Sequence, residues 1–193
     1  MEENNSLENY IVKFENVIPE TIYPNFFRVC RNFDYEKAKI YGDKEKVTDE
    51  KVRKALSYSL SDINAKSLTD IHWRNFLSFT FQNFVNDYQN FVRSGDGPFK
   101  INDIQVLKYV NMGHYKFHTD DGPELHRRIS CIYFINDDYE GGDLEFGFLH
   151  TEKKLIIKPK KNSMVVWPSN WMYPHSVRPV TKGERYSVVA WAL

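Results

Sequence analysis

Between residues 68 and 93 apolar side chains recur three and four places apart: Trp73, Phe76, Leu77, Phe81, Phe84, Val85, Tyr88, Phe91 and Val92. This is the spacing of a helix with one apolar face. It predicts a helix over 68–93, with Ser67 and Asp70 making the N-terminal cap and Gly95 suiting the exit. The aromatic stripe reads as a core-facing seam that braces a sheet from behind. From residue 101 the texture changes to short β-like runs at 104–110, 115–120, 128–136, 143–146, 155–158, 163–167, 175–177 and 185–191, with Gly, Pro, Asn and Asp between them. About eight short strands of this kind suggest a sandwich or barrel. Before the helix the signal is weaker, because Pro19, Pro24, Gly42 and a charged stretch at 43–54 interrupt it. A strand at 11–14, a short helix after Pro19 and a strand at 52–60 are expected there. The expected fold class is mainly β with flanking helices (α+β). The chain reads as a single domain over 1–193, with residues 1–100 supporting a β core at 101–193.

Composition narrows the classes. A chain of 193 residues can bury a substantial core, and 16% aromatic content, with 14 Phe and 12 Tyr, argues against disorder. Lys+Arg and Asp+Glu both number 26. That balance counts against a broad nucleic-acid surface, while leaving room for a local basic groove. Two cysteines, Cys30 and Cys131, make no disulfide framework, and Cys131 sits in the apolar run 129–135 as a small buried hydrophobe. The polar start of the chain shows no signal peptide, and no run approaches a membrane span. A cytoplasmic protein is the expectation. Asn4-Asn5-Ser6 matches a glycosylation sequon, which has no consequence without secretion. Lys153, Lys154, Lys158, Lys160 and Lys161 form either a solvated edge or a contact for an acidic substrate or nucleic acid.

The chemistry gathers in the β region. His118-Thr119-Asp120, then His175, then Arg185 supply two imidazoles, a carboxylate and a guanidinium. Two imidazoles and one carboxylate on one face of a metal leave the opposite face open, which suits Fe(II) and O2. In a strand His118 and Asp120 would project to the same side and grip one ion, and Asp121 would turn away to solvent. Arg185 could pair with a carboxylate through two parallel N–H···O bonds. Arg178 competes for that role but reads as a surface residue. His72, His114, His126 and His150 lack matching partners.

Four blocks carry a wider resemblance: Tyr109 to Asp120, Arg127 to Asn136 leading into Glu140-Gly141-Gly142-Asp143-Leu144, Pro174 to Val180, and Gly183 to Ser187 ending at Trp191. In order, spacing and character they resemble the 2-oxoglutarate/Fe(II) dioxygenases of the prolyl 4-hydroxylase type, over about half the chain. The resemblance implies a double-stranded β-helix (jelly-roll) whose mouth holds Fe(II) on His118, Asp120 and His175. It implies 2-oxoglutarate and O2 as co-substrates, ascorbate as reductant, and Arg185 on the distal carboxylate of 2-oxoglutarate. Tyr109 matches a tyrosine that hydrogen-bonds the co-substrate, with a plain core aromatic as its other reading. Ile132, Leu144, Val177 and Trp191 match apolar walls of that pocket, and Tyr115 and Arg127 match its substrate side.

Because Asp120 keeps the carboxylate, the implied outcome is hydroxylation rather than halogenation. The implied substrate is a prolyl residue in a peptide or protein. The same chemistry on a free amino acid, a metabolite or a nucleic-acid base stays open, as does a non-catalytic jelly-roll binding module. The stretch after Arg185 carries no second arginine, which counts against nucleic acid. Phe134 stands where relatives have a tyrosine hydroxyl for the co-substrate, so Arg185 must rely on another hydroxyl or on water. Trp171, in the loop 171–173 before His175, either grips a peptide or plugs the end of the barrel.

Overall fold

The computed structural model describes residues 6–41, 46–61, 67–95, 97–122, 125–149 and 151–193. Asn4 and Asn5 of the sequon, and His150, lie outside them. After a 3-10 turn at Leu7–Tyr10 come β1 (Val12–Glu15), α1 (Tyr23–Cys30), β2 (Glu36–Lys37), β3 (Ile40–Tyr41), β4 (Lys46–Val47), β5 (Arg53–Lys54), β6 (Leu56–Ser59) and α2 (Leu68–Val92). Then follow β7 (Ile101–Tyr109), β8 (His114–His118), β9 (Ile129–Phe134), β10 (Glu140–Gly141), β11 (Leu144–Gly147) and β12 (Lys154–Ile157). The last are β13 (Ser163–Pro168), β14 (His175–Val177), β15 (Val180–Lys182) and β16 (Arg185–Ala192).

Two sheets face one another. The larger runs β1-β13-β9-β16-β7-β6-β2 and the smaller runs β12-β11-β14-β8-β5. The eight strands expected from 101 onward divide evenly, with β13, β9, β16 and β7 in one sheet and β12, β11, β14 and β8 in the other. The fold is a jelly-roll braced by helices. The N-terminal half is woven into it, since β1, β6 and β2 extend the larger sheet and β5 the smaller.

Covering both faces of the larger sheet explains its sequence. β9 buries every residue, as strands sandwiched on both sides do. On the helix-facing side, Cys131, Tyr133 and Ile135 pack with Trp73, Leu77, Phe81 and Val85 of α2 and Phe26 of α1. On the inner side Ile132 and Phe134 pack with Leu144, Phe146, Val165 and Trp167. Leu77 and Phe81 are fully buried, each contributing about 1.5–3 kcal/mol through apolar area removed from water. α2 is therefore a brace, as its periodicity indicates. Ser67 caps it by accepting a hydrogen bond from the Asp70 amide.

Several expectations are corrected. The helix exits through Arg93, whose backbone is left-handed at φ 53°, and not through Gly95. Phe91 faces solvent at 64% exposure, while Tyr88 before it and Val92 after it still pack on the core. The strand expected at 52–60 breaks at Ala55 into β5 and β6, which join opposite sheets. The ribbons β3–β4 and β10–β15 were invisible to periodicity, which needs more than two or three residues to declare itself.

Candidate active site

Strand register brings the separated ligands together. β14 pairs with β8 so that His175 lies opposite His118, and β11 sets Phe146 against His175 from the other side. β8 ends at His118. Asp120 thus lies past the strand rather than in phase within it, and strand alternation does not govern Asp121, which is half-buried. Other contacts hold this turn. The Asp121 amide donates to the Ser169 carbonyl, and the Ser130 hydroxyl donates to Asp120 Oδ2 at 2.7 Å. Ser130 and Ser169 share a further hydroxyl contact.

The ligand atoms of His118, Asp120 and His175 lie within 4.8 Å of one another. His118 Nε2 is 3.8 Å from Asp120 Oδ1, and His175 Nε2 is 3.5 Å from Asp120 Oδ2. The Nδ1 atoms of the two histidines contact the carbonyls of Lys116 at 2.8 Å and Tyr173 at 3.1 Å. A carbonyl only accepts, so each Nδ1 carries the proton and each Nε2 presents a lone pair to the carboxylate. Burial, reinforced by the nearby His175, pushes the His118 pKa down and keeps it neutral. Burial alone would raise the Asp120 pKa, but the positive charge that either imidazole carries when protonated and the Ser130 hydrogen bond outweigh it and hold the carboxyl below its usual range. Three lone pairs converging without a proton between them repel unless a cation joins them. The donor set of two imidazoles and one carboxylate fits Fe(II).

Aromatic rings fix the imidazoles. Tyr115 stacks on His118 at 3.5 Å between centroids, and Trp167 meets His175 edge-on at 4.9 Å. The triad lies in a cavity of about 470 Å³ between the sheets, within the size range of small-molecule sites. Tyr109, Ile132, Leu144, Val177 and Trp191 line its walls, as do Tyr115 and Arg127. Arg127 lies 3.5 Å over the Trp191 ring and reaches the Asp120 carbonyl and Asp103.

Arg185 is wholly buried behind that wall, directly opposite Tyr109 in the β16–β7 register. Its guanidinium carbon sits 4.8 Å from the Tyr109 ring centroid and 5.5 Å from that of Phe134. Nη1 donates to Ser187 Oγ at 3.1 Å, while Nε and Nη2 are buried without a hydrogen-bond partner. Buried guanidinium nitrogens left unpaired are costly, and a carboxylate would satisfy both. Arg178 is already claimed on the outer face, where it pairs with Glu145.

Trp171 does not line this cavity. It is 67% exposed, beside a shallow surface groove with Thr119, Asp121, Gly122, His126 and Arg128. A barrel plug would be buried, and the buried aromatics here are Trp167 and Tyr173. Three lysines of the basic cluster are engaged by local acids: Lys153 by Glu8, Lys154 by Glu145 and Lys160 by Glu15. Residues missed in the sequence include Ser130 and Arg53, whose guanidinium lies 4.7 Å over the Tyr115 ring. Ser130 looked like one more residue of an apolar strand, and β5 is too short to show a pattern.

Comparison with known proteins agrees with this geometry. Residues 104–193 match the family model of the 2OG-Fe(II) oxygenase superfamily. The chain is 41% identical over 68 residues to human prolyl 3-hydroxylase 2, covering 34% of this chain and 9% of that protein. It is 33% identical over 103 residues to a PKHD-type hydroxylase of Stenotrophomonas maltophilia (strain R551-3), covering 49% and 44%. The chain thus spans less than half the length of these curated relatives. Among solved structures it superposes on a Trichoplax adhaerens prolyl hydroxylase in complex with a peptide fragment of the hypoxia inducible factor oxygen degradation domain. There the TM-score is 0.73 at 16% identity, over 96% of this chain and 84% of that one. At that identity the likeness establishes the fold.

Proposed function

We propose, from the match of residues 104–193 to the family model of the 2OG-Fe(II) oxygenase superfamily, that the chain is a 2-oxoglutarate- and Fe(II)-dependent dioxygenase that hydroxylates a prolyl residue in a peptide or protein. The observation that carries this is a triad of converging lone pairs, with Asp120 and His175 buried, in the same fold as a buried arginine whose Nε and Nη2 lack a hydrogen-bond partner. His118, Asp120 and His175 hold the metal. When bound, Fe(II) supplies activation of O2 coupled to conversion of 2-oxoglutarate to succinate and CO2, with ascorbate keeping the metal reduced.

The protein's own part is placement. Arg185 takes the distal carboxylate of 2-oxoglutarate, and Tyr109 contacts the same molecule. Ile132, Leu144, Val177 and Trp191 keep water away from it, which strengthens each polar contact inside. Tyr115 and Arg127 position the substrate beside the metal, with Trp171 at the rim. Asp120 would give the metal a carboxylate where a halogenase has a small residue, which accords with hydroxylation rather than halogenation. Residues 101–193 act as the catalytic core and 1–100 as its support within one domain.

A peptide substrate is favoured by the relatives, of which one is a prolyl 3-hydroxylase and another was solved with a peptide fragment. Two free, buried cysteines accord with a cytoplasmic setting. Among the described residues no helix is long and apolar enough to cross a membrane. The test is to incubate the protein with Fe(II), 2-oxoglutarate, ascorbate and a proline-containing peptide library. Succinate release should rise with the library, and particular peptides should gain the mass of one oxygen. Metal-dependent binding with no succinate from any peptide, free amino acid or nucleic acid would instead indicate a binding module.

A further inference from the structure

The donors around Arg185 are incomplete without Tyr139. Phe134 presents only a ring face to the guanidinium, 5.5 Å away, and cannot donate a hydrogen bond. Tyr139, in the turn between β9 and β10, lies beside the arginine from the other direction. The two side chains converge over Gly142: a Cβ there would meet Arg185 Cδ at 2.8 Å and Tyr139 Cε2 at 3.1 Å. Tyr139 Oη, Arg185 Nε and Arg185 Nη2 are all buried, and the phenol and the guanidinium interact only loosely with one another, short of a well-formed hydrogen bond. Three buried polar atoms without a well-formed partner therefore belong to two adjacent side chains, and such groups in native proteins call for an explanation.

The backbone holds Tyr139 there deliberately. Gly142 and Gly183 both have positive φ, at 68° and 79°. Each leaves room for the ring, since a Cβ on Gly183 would sit 3.1 Å from Tyr139 Cβ. Pairing of β10 with β15 clamps this turn over the end of β16. Burial raises the phenol pKa to about 12 against the opposing charge of Arg185, so the hydroxyl keeps its proton and can donate.

Resting on the reading that 2-oxoglutarate is the co-substrate, we propose that Tyr139 supplies the hydroxyl that Phe134 lacks. It donates to the distal carboxylate beside Arg185. A carboxylate with several lone-pair sites can then satisfy Arg185 Nε, Arg185 Nη2 and Tyr139 Oη together. The role has moved from a strand residue to a turn residue while the hydroxyl still lies beside the cation.

The test is calorimetric titration of the Mn(II)-loaded full chain with 2-oxoglutarate and with 2-oxopentanoate, which carries a methyl in place of the distal carboxylate. Tyr139→Phe should raise the 2-oxoglutarate Kd about tenfold, the scale of one hydrogen bond to a charged group. It should leave 2-oxopentanoate affinity within about twofold. Adding Phe134→Tyr to that variant should restore most of the loss. Unchanged 2-oxoglutarate affinity in Tyr139→Phe, alongside a large loss in Arg185→Ala, would overturn the proposal and leave the dioxygenase reading standing. Equal weakening toward both acids would reduce Tyr139 to wall packing and also overturn it. A wild-type protein that binds neither Mn(II) nor 2-oxoglutarate would remove both readings at once.

Discussion

The interior of the cavity and its rim are built in different ways. Inside, the histidines, Ser130 and Arg185 sit on strands whose register is fixed by neighbours on both sides, and all but His118 are buried. Toward the surface, Trp171 stands on a loop at a separate groove, and Arg53 comes from a two-residue strand at the cavity's edge. Interior positions cannot shift without breaking a sheet, because a slip of one residue would turn every side chain to the other face. Rim positions carry no such constraint. Substitutions inside should accordingly remove a whole binding capacity, while rim substitutions should change only what is recognised.

The largest effect should come from the most constrained position. His175 is buried between Phe146 and Trp167, with its Nδ1 proton committed to the Tyr173 carbonyl. His175→Ala removes one of the three proposed ligands, which form the one His/Cys/Asp/Glu cluster fit for a metal among the described residues, and stoichiometric Fe(II) or Mn(II) binding should be abolished in a metal titration. Tight one-to-one binding in that variant would mean the interior is not organised around this triad.

Arg185→Ala should come next and should separate the two functions of the interior. Co-substrate affinity should fall by about 2–5 kcal/mol, since a buried carboxylate loses its charged partner, while metal affinity stays near wild type. Arg178→Ala is the control. Its partner Glu145 lies on the outer face of the smaller sheet, so the same titration should change little. Equal losses in both variants would erase the distinction between the buried and the surface arginine.

How much of this was legible follows the same division. His118, Asp120, His175 and Arg185 could be read from residue type and order, because coordination and carboxylate pairing demand particular side chains. The long seam of α2 and the eight core strands were legible because periodicity has room to repeat. The strand argument for Asp120 picked a residue that does meet both histidines, but on incomplete grounds: β8 stops at His118, and the aspartate is held by Ser130 from β9. Nothing local announces that contact, since it depends on which strands become neighbours. The break at Ala55 was hidden for a related reason. One continuous half-polar run can serve two sheets, and only the tertiary fold says where it divides.

The smallest effect is expected at the rim, and it tests whether the rim acts on substrate at all. Trp171 is 67% exposed, so its removal vacates little core. A surface substitution of this kind normally changes stability by no more than about 0.5 kcal/mol. Trp171→Ala should therefore keep the wild-type melting temperature, metal binding and peptide-free turnover of 2-oxoglutarate. Its loop leads through Tyr173 straight to His175, and it faces a groove shared with Thr119 and Asp121, which flank the ligand Asp120. An exposed indole offers a peptide in that groove both apolar area and a hydrogen-bonding tip. Peptide-stimulated succinate release should fall about fivefold, the scale of one modest interface anchor near 1 kcal/mol. If the melting temperature drops with every activity together, Trp171 serves the scaffold, and the line between interior and rim has been drawn in the wrong place. If nothing changes, the peptide approaches from the side of Arg53 and Arg127 instead.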